Sequence, residues 1–352
     1  MTAAVPTDSA LEVPASPPIE APPEPIQNRL LKPHTLVSFA IAVLIVAFLV
    51  KRMNIDLGAV WSNIKAANPW YFVAALVLYY LTFVARTLRW RYMLKQAGIS
   101  DESGYQMPGN AHLFEILMLS WFANCIIPAK LGDGYRSYLL KRDAGAPGSA
   151  TLGTILAERI TDLGVLFVTM TLTGILAFHG NLPSKVQNTV WIGGGMMALA
   201  AVVLLALFFA RDSVLRFVPE RFTRHFHDFH GAVFACLRQP AVPVGISLGI
   251  WCADGVRLFL VAKSLGAHLS IELTVFVALM SALLTTLPVT PAGLGLVEAA
   301  VVVVLKLVHV NADLAGSIAI LDRVIGYWSL IVVGIVLYIH RMRRDVQAVV
   351  RT

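Results

Sequence analysis

Acids and arginines recur inside long apolar runs of this chain. The basic residues are Arg86, Lys130, Arg136, Arg159, Arg257, Lys306 and Arg323; the acids are Glu115, Asp133, Glu158, Asp162, Asp254, Glu298 and Asp322. A lone charge at a bilayer centre costs about 2.5–3.5 kcal/mol even on the lenient insertion scale, so such groups must pair or line a polar cavity. Glu158 and Asp162, four apart, share one helix face. Asp254 and Arg257, three apart, suit a pair within one helix and read first as a strut between helices. Arg159 and Arg323 differ. Each follows an acid directly, Glu158 or Asp322, that does not share its face, so each must find a partner or a ligand elsewhere.

Two breaks lie one helix before those arginines, Pro128-Ala129-Lys130-Leu131-Gly132 and Pro291-Ala292-Gly293-Leu294-Gly295. A helical arm starting after Gly132 or Gly295 points unpaired N–H groups and the positive end of its dipole into the membrane. Glycine permits close approach there. With Lys130 and Arg136 nearby, a phosphate-bearing head group suits such a tip. The plainer reading is a tight turn.

Other patterns carry less. Gly245-Ile246-Ser247-Leu248-Gly249 has the spacing of a nucleophile elbow but no strand–turn–helix context. Close helix packing through its small residues is the expectation. Gly132-x-Gly134 and Gly293-x-Gly295 lack the βαβ unit of a dinucleotide site. His225, His227 and His230 supply no complete ligand set, and Cys125, Cys236 and Cys252 form neither a metal spacing nor a disulfide framework. No cofactor is expected. Between residues 211 and 240, arginines interleave with Phe217, Phe222, Phe226 and Phe229, which reads as an amphipathic helix lying on anionic lipid.

The elements that must position these residues follow from composition. Of 352 residues 57% are hydrophobic and 14% charged, with mean hydropathy +0.71. Soluble domains run near 45–50% and about 25%. This composition excludes a soluble enzyme and predicts an all-α polytopic membrane protein. Residues 1–33, rich in proline and carrying Asp8, Glu12, Glu20 and Glu24, are expected to be a disordered cytoplasmic tail. Full spans are predicted at 34–53, 69–92, 150–179, 187–210, 241–264 and 312–340, with a short basic cytoplasmic tail at 341–352.

Segments 112–142 and 270–308 read instead as re-entrant helical hairpins. Their arms are broken at the two tips and are too short for the roughly 30 Å hydrocarbon core. Broken backbone at that depth is tolerated where protein or a wet cavity satisfies it. Charge supports this topology. With both termini inside, the cytoplasm receives Arg29, Lys32, Arg89, Arg91, Lys95, Lys141, Arg142, five arginines of 211–238, Arg341, Arg343, Arg344 and Arg351. The outside receives only Lys51, Arg52, Lys65, Lys185 and Lys263. Full crossings in place of hairpins would erase the bias. The same bias accounts for the basic balance without a nucleic-acid partner.

The tip motif recurs after 163 residues, and Glu158-Arg159 is echoed by Asp322-Arg323 after 164. Each half, 34–186 and 187–340, reads as span, interfacial segment, span, hairpin, span. Three crossings per half make the repeat inverted, a recurring transporter plan.

In this order and spacing, Pro128-x-x-x-Gly132-Asp133-x-x-Arg136, Glu158-Arg159-x-x-Asp162, Leu287-Pro288-x-x-Pro291-x-Gly293-x-Gly295-x-x-Glu298 and Arg323 resemble the flippase-like membrane domain of bacterial lysyl-phosphatidylglycerol synthases, including its stand-alone and hopanoid-associated branches. The resemblance covers about residues 34–340. It implies movement of a charged-head-group lipid between leaflets of a bacterial inner membrane, with those residues at the site. Asp322 joins them through the internal repeat alone. Few residues follow Arg341, so aminoacyl transfer by this chain alone is not expected. Two further readings stand beside translocation: a non-transporting partner of a glycosyl- or aminoacyl-transferase, and, ranked last, a membrane-embedded transferase, for which no nucleophile–base pair can be placed.

Overall fold

The computed structural model describes residues 44, 48, 50–52, 55–126, 131–209, 219–286 and 291–351. The expected tail 1–33, most of the first span, Lys130 and Pro288 lie outside them. The described part is helical, and among the described residues there is no strand. Five stretches are long and apolar enough to cross a membrane: Pro69–Ser103, Gly148–Ala177, Val186–Phe209, Ala241–Ser264 and Ala312–Asp345. They coincide with five of the six predicted spans. The protein is a multi-pass all-α membrane protein.

The first half holds α1 (Leu57–Lys65), α2 (Pro69–Gln96), α3 (Asn110–Ile126), α4 (Gly132–Ala144) and α5 (Gly148–Ala177). The second holds α6 (Ser184–Phe209), α7 (Glu220–Arg238), α8 (Ala241–Ser264), α9 (Ile271–Thr286), α10 (Leu296–Leu307) and α11 (Ala312–Arg323). A π-helical turn, Val324–Trp328, joins α11 to α12 (Ser329–Arg351), so the last helix runs through residue 341 without a break.

Local chemistry sets the helix starts. Asn68 caps α2 by accepting from Trp70 N at 3.0 Å, with Pro69 at the first helical position. Asp56 caps α1 through Gly58 N, and its own N–H donates to Asp313 Oδ1 at 2.8 Å, which ties α1 to the start of α11. The 28 residues of α2 and 30 of α5 exceed the bilayer core at about 1.5 Å per residue. The 17 of α3, 13 of α4, 16 of α9 and 12 of α10 do not reach across it. In each of these pairs the second arm packs back on the first.

Packing follows the repeat. Helix α2 lies against its counterpart α8 along the axis relating the halves. Around them α1 packs on α11 as α7 packs on α5, and α3 on α12 as α9 on α5. Helix α6 stays on the outside. Only 6% of its apolar window is buried, and Trp191 and Phe209 are more than two-thirds exposed, as lipid-facing residues should be.

Gly132 lets the first hairpin close. A Cβ there would sit 2.1 Å from Ser120 O and 2.6 Å from Asn124 Oδ1. We expect Gly132→Ala to part α4 from α3 and lower stability by about 1–3 kcal/mol, measured by thermal unfolding in detergent. Hairpin topology is checked by membrane-impermeant labelling of single cysteines at Lys95 and Lys141, which flank the first hairpin. The two must report the same side, and labelling from opposite sides would mean that the hairpin is a span.

Candidate functional site

Most of the intramembrane charges gather in a buried belt of ion pairs. Its centre is Arg89 of α2, which is fully buried. Its NH2 donates to Glu158 Oε1 at 2.8 Å and Asp162 Oδ2 at 2.9 Å, while NH1 donates to Asp162 Oδ1 and to Ser247 Oγ. Glu158 Oε2 accepts from Arg136 at 2.9 Å. The Arg136 guanidinium lies 3.7 Å from the centre of the Trp90 ring, which faces a cation whose Nε and NH2 have no hydrogen-bond acceptor. Glu158 and Asp162 share a face, and that face holds Arg89.

Two clamps stand at the hairpins. Arg159 ignores Glu158 and reaches Asp133 in the first turn of α4, at 2.8 Å and 3.2 Å. Arg323 ignores Asp322 and reaches Glu298 in the first turn of α10, with Nε 2.8 Å from Oε1. Its other nitrogens donate to Ala292 O and Gly293 O, each at 3.2 Å. That fastens the second tip, whose Ala292, Gly293 and Gly295 all have positive φ. The second tip also packs on α3, whose Cys125 carbonyl accepts from Tyr327 at 3.3 Å. The two hairpins thus meet.

Between the clamps lies the repeat axis. Arg86 of α2 donates to Asp254 Oδ2 of α8 at 3.3 Å, and Asp254 also lies 3.5 Å from Arg257. Arg257 bonds Asp322. These pairs obey the duplication. Arg89 holds Glu158 as Arg257, 168 residues on, holds Asp322; Arg159 holds Asp133 as Arg323 holds Glu298. Arg86 and Asp254 are themselves 168 apart and pair with each other across the axis. Among the described residues, six arginines (Arg86, Arg89, Arg136, Arg159, Arg257, Arg323) face six carboxylates (Asp133, Glu158, Asp162, Asp254, Glu298, Asp322).

Several expectations change. The first amide of each second arm is not bare: Gly132 N donates to Asn124 Oδ1 at 2.8 Å and Gly295 N to Glu298 Oε2 at 2.7 Å. Arg89 does not belong to a cytoplasmic loop. Helix α2 turns it inward, one turn beyond Arg86, and its repeat partner Arg257 is the signal that marks it. Small-residue packing holds at Ser247, which is fully buried between helices, and not at its flanking glycines. Gly245 and Gly249 face open space, and Ser247, two positions from each, lies on the opposite face against Arg89. His230 bonds Leu207 O at 3.1 Å, and among the described residues no three potential ligands gather for a metal.

The exposed end of the network is the Arg159–Asp133 clamp, with 29% and 19% of the side chains accessible. Arg89 and Arg136 are sealed. On the side where α3 begins and α4 ends, a separate group joins Arg344 of α12 to Glu115 and Arg341 to Asp143, which also meets His112 at 2.7 Å.

The profile of the lysylphosphatidylglycerol synthase transmembrane region matches residues 35–334. The chain belongs to that family. A UPF0104 membrane protein of Methanocaldococcus jannaschii is 31% identical over 220 residues, covering 62% of this chain and 93% of the relative. Another, from Methanothermobacter thermautotrophicus, is 23% identical over 84% of this chain and 92% of its own length. The glycosyltransferase AglD of Haloferax volcanii is 25% identical over 88% of this chain, but the match takes in 55% of AglD.

In this family member, breaking the axial pair from one side strands a buried charge. We expect Arg86→Met to destabilise the protein by about 3–5 kcal/mol and Arg86→Met/Asp254→Leu to recover most of that loss. Thermal unfolding of both single variants and the double in nanodiscs measures the coupling, and additive losses would show that the pair does not join the halves.

Proposed function

We propose that this protein moves a lipid with a charged, phosphate-bearing head group between leaflets, in a bacterial inner membrane with both termini cytoplasmic. The observation that carries the reading is the pair of repeat-related clamps, Arg159–Asp133 and Arg323–Glu298, in the first turns of α4 and α10, with the second tip packed on α3 of the first hairpin. A head-group phosphate takes Arg159 from Asp133 through the same two-pronged geometry and competes with Glu298 for Arg323. The released carboxylate then takes a proton or a cation of the head group, so no uncompensated charge is left in the membrane. The acyl chains remain in lipid. Lys130, Gly132, Arg136, Glu158, Asp162, Gly293, Gly295 and Asp322 complete the assigned site, and no catalysis is assigned to the chain.

Reconstitution with a panel of fluorescent phospholipids tests this. Wild type is expected to move at least one of them, with Arg159→Ala and Arg323→Ala each slowing it tenfold or more. Wild type no faster than the variants on every lipid would end the proposal.

The second reading, a partner of a lipid-modifying enzyme, draws on AglD, a glycosyltransferase by name whose matched region is 55% of its length. The exposed Arg221, Phe222, Arg224 and His225 of α7 offer such a partner a basic, aromatic surface. Co-purification of a transferase without lipid movement would favour it.

A further inference from the structure

The halves differ in the link between the second span and the hairpin. Gly98 and Gly266 end α2 and α8 alike, both with positive φ. From there the first half runs through residues 99–109 to reach α3, while the second needs only 267–270 to reach α9. The additional residues include a 3₁₀ turn, Asp101–Ser103, and they wall a cavity of about 380 Å³ beside the end of α2. Small-ligand sites begin near about 300 Å³. The lining includes Arg91, Tyr92, Lys95 and Ser100 with the acids Asp101 and Glu102.

The charges there are poised for a guest. Arg91 donates only to neutral oxygens, Asn110 Oδ1 at 2.8 Å and Pro108 O at 3.3 Å, and no carboxylate among the described residues pairs with it. Lys95 meets Glu102 at 2.8 Å, but both side chains are mostly exposed, 61% and 75%. Exposed pairs of this kind are worth about 0–1 kcal/mol and exchange partners easily. Toward the bilayer, Val77, Leu81, Val84 and Leu88 form an exposed apolar stripe on α2, spaced four and three, and Arg91 and Lys95 continue it. In the second half the position of Arg91 is Phe259, and no such turn stands over it.

We infer that this groove is a second lipid site, separate from the clamps, which holds a zwitterionic phospholipid of the phosphoethanolamine class. The phosphate sits on Arg91 and Lys95, the ammonium on Asp101 and Glu102, and an acyl chain lies along the stripe to Leu88. A net-anionic head group would leave the two carboxylates facing it unanswered.

Lipid retention by the purified full chain tests this independently of lipid movement. Native mass spectrometry is run after addition of phosphatidylethanolamine, phosphatidylglycerol or chain-free O-phosphoethanolamine. Phosphatidylethanolamine is expected to bind at least tenfold more tightly than the other two. Arg91→Gln and Glu102→Gln are each expected to remove that preference, and Lys263→Gln, at the position of Lys95 in the second half, to keep it. Equal retention by wild type and both groove variants would overturn the site, and phosphatidylglycerol binding that is as tight and that Arg91→Gln removes would overturn the zwitterion. Chain-free O-phosphoethanolamine binding as tightly as the lipid would overturn the lipid assignment. Loss of translocation with this pattern intact would bear only on the proposed function.

Discussion

A guanidinium cannot be left alone in a bilayer. That requirement organises the interior of this protein, because its membrane-embedded arginines are each answered by a carboxylate on another helix. Arg89 binds the two acids of α5, Arg257 binds Asp322 of α11, and Arg86 binds Asp254. These bonds run between helices rather than along them. They dictate which helices are neighbours, whereas apolar packing alone gains little in lipid, where tails are as apolar as leucine.

The same constraint shapes the clamps. A carboxylate in the first turn of α4 and of α10 sits at the positive end of its helix and meets an arginine from the next helix. Each clamp therefore ties the second arm of a hairpin to the helix that follows it. The pairs at Arg89 and Arg136 are sealed, while Arg159 is the more accessible end of the network.

Much of this was readable in the chain. The tip motif and the acid–arginine echo implied a duplication, and the packing of α1 on α11 and α7 on α5 carries it out. The mutual face of Glu158 and Asp162 followed from helical spacing. Arg89 was hidden because a basic residue near the end of a span suits a cytoplasmic loop equally well. Its direction is decided by the rotation of α2 against α8, which hydropathy does not encode. Ser247 was hidden for the same reason, since its flanking glycines suggested packing while the helix turned them outward.

Composition and spacing by themselves determined that the chain is helical, lies in a membrane and carries charges that must be matched. Those properties depend on local transfer energies and helical periodicity, which any single segment expresses. Tertiary structure decided the partners: Arg159 with Asp133 instead of Glu158, Arg323 with Glu298 instead of Asp322, and Arg86 with Asp254 across the axis. A buried charge accepts whichever opposite charge the packing brings within reach, and that choice is made between helices far apart in sequence.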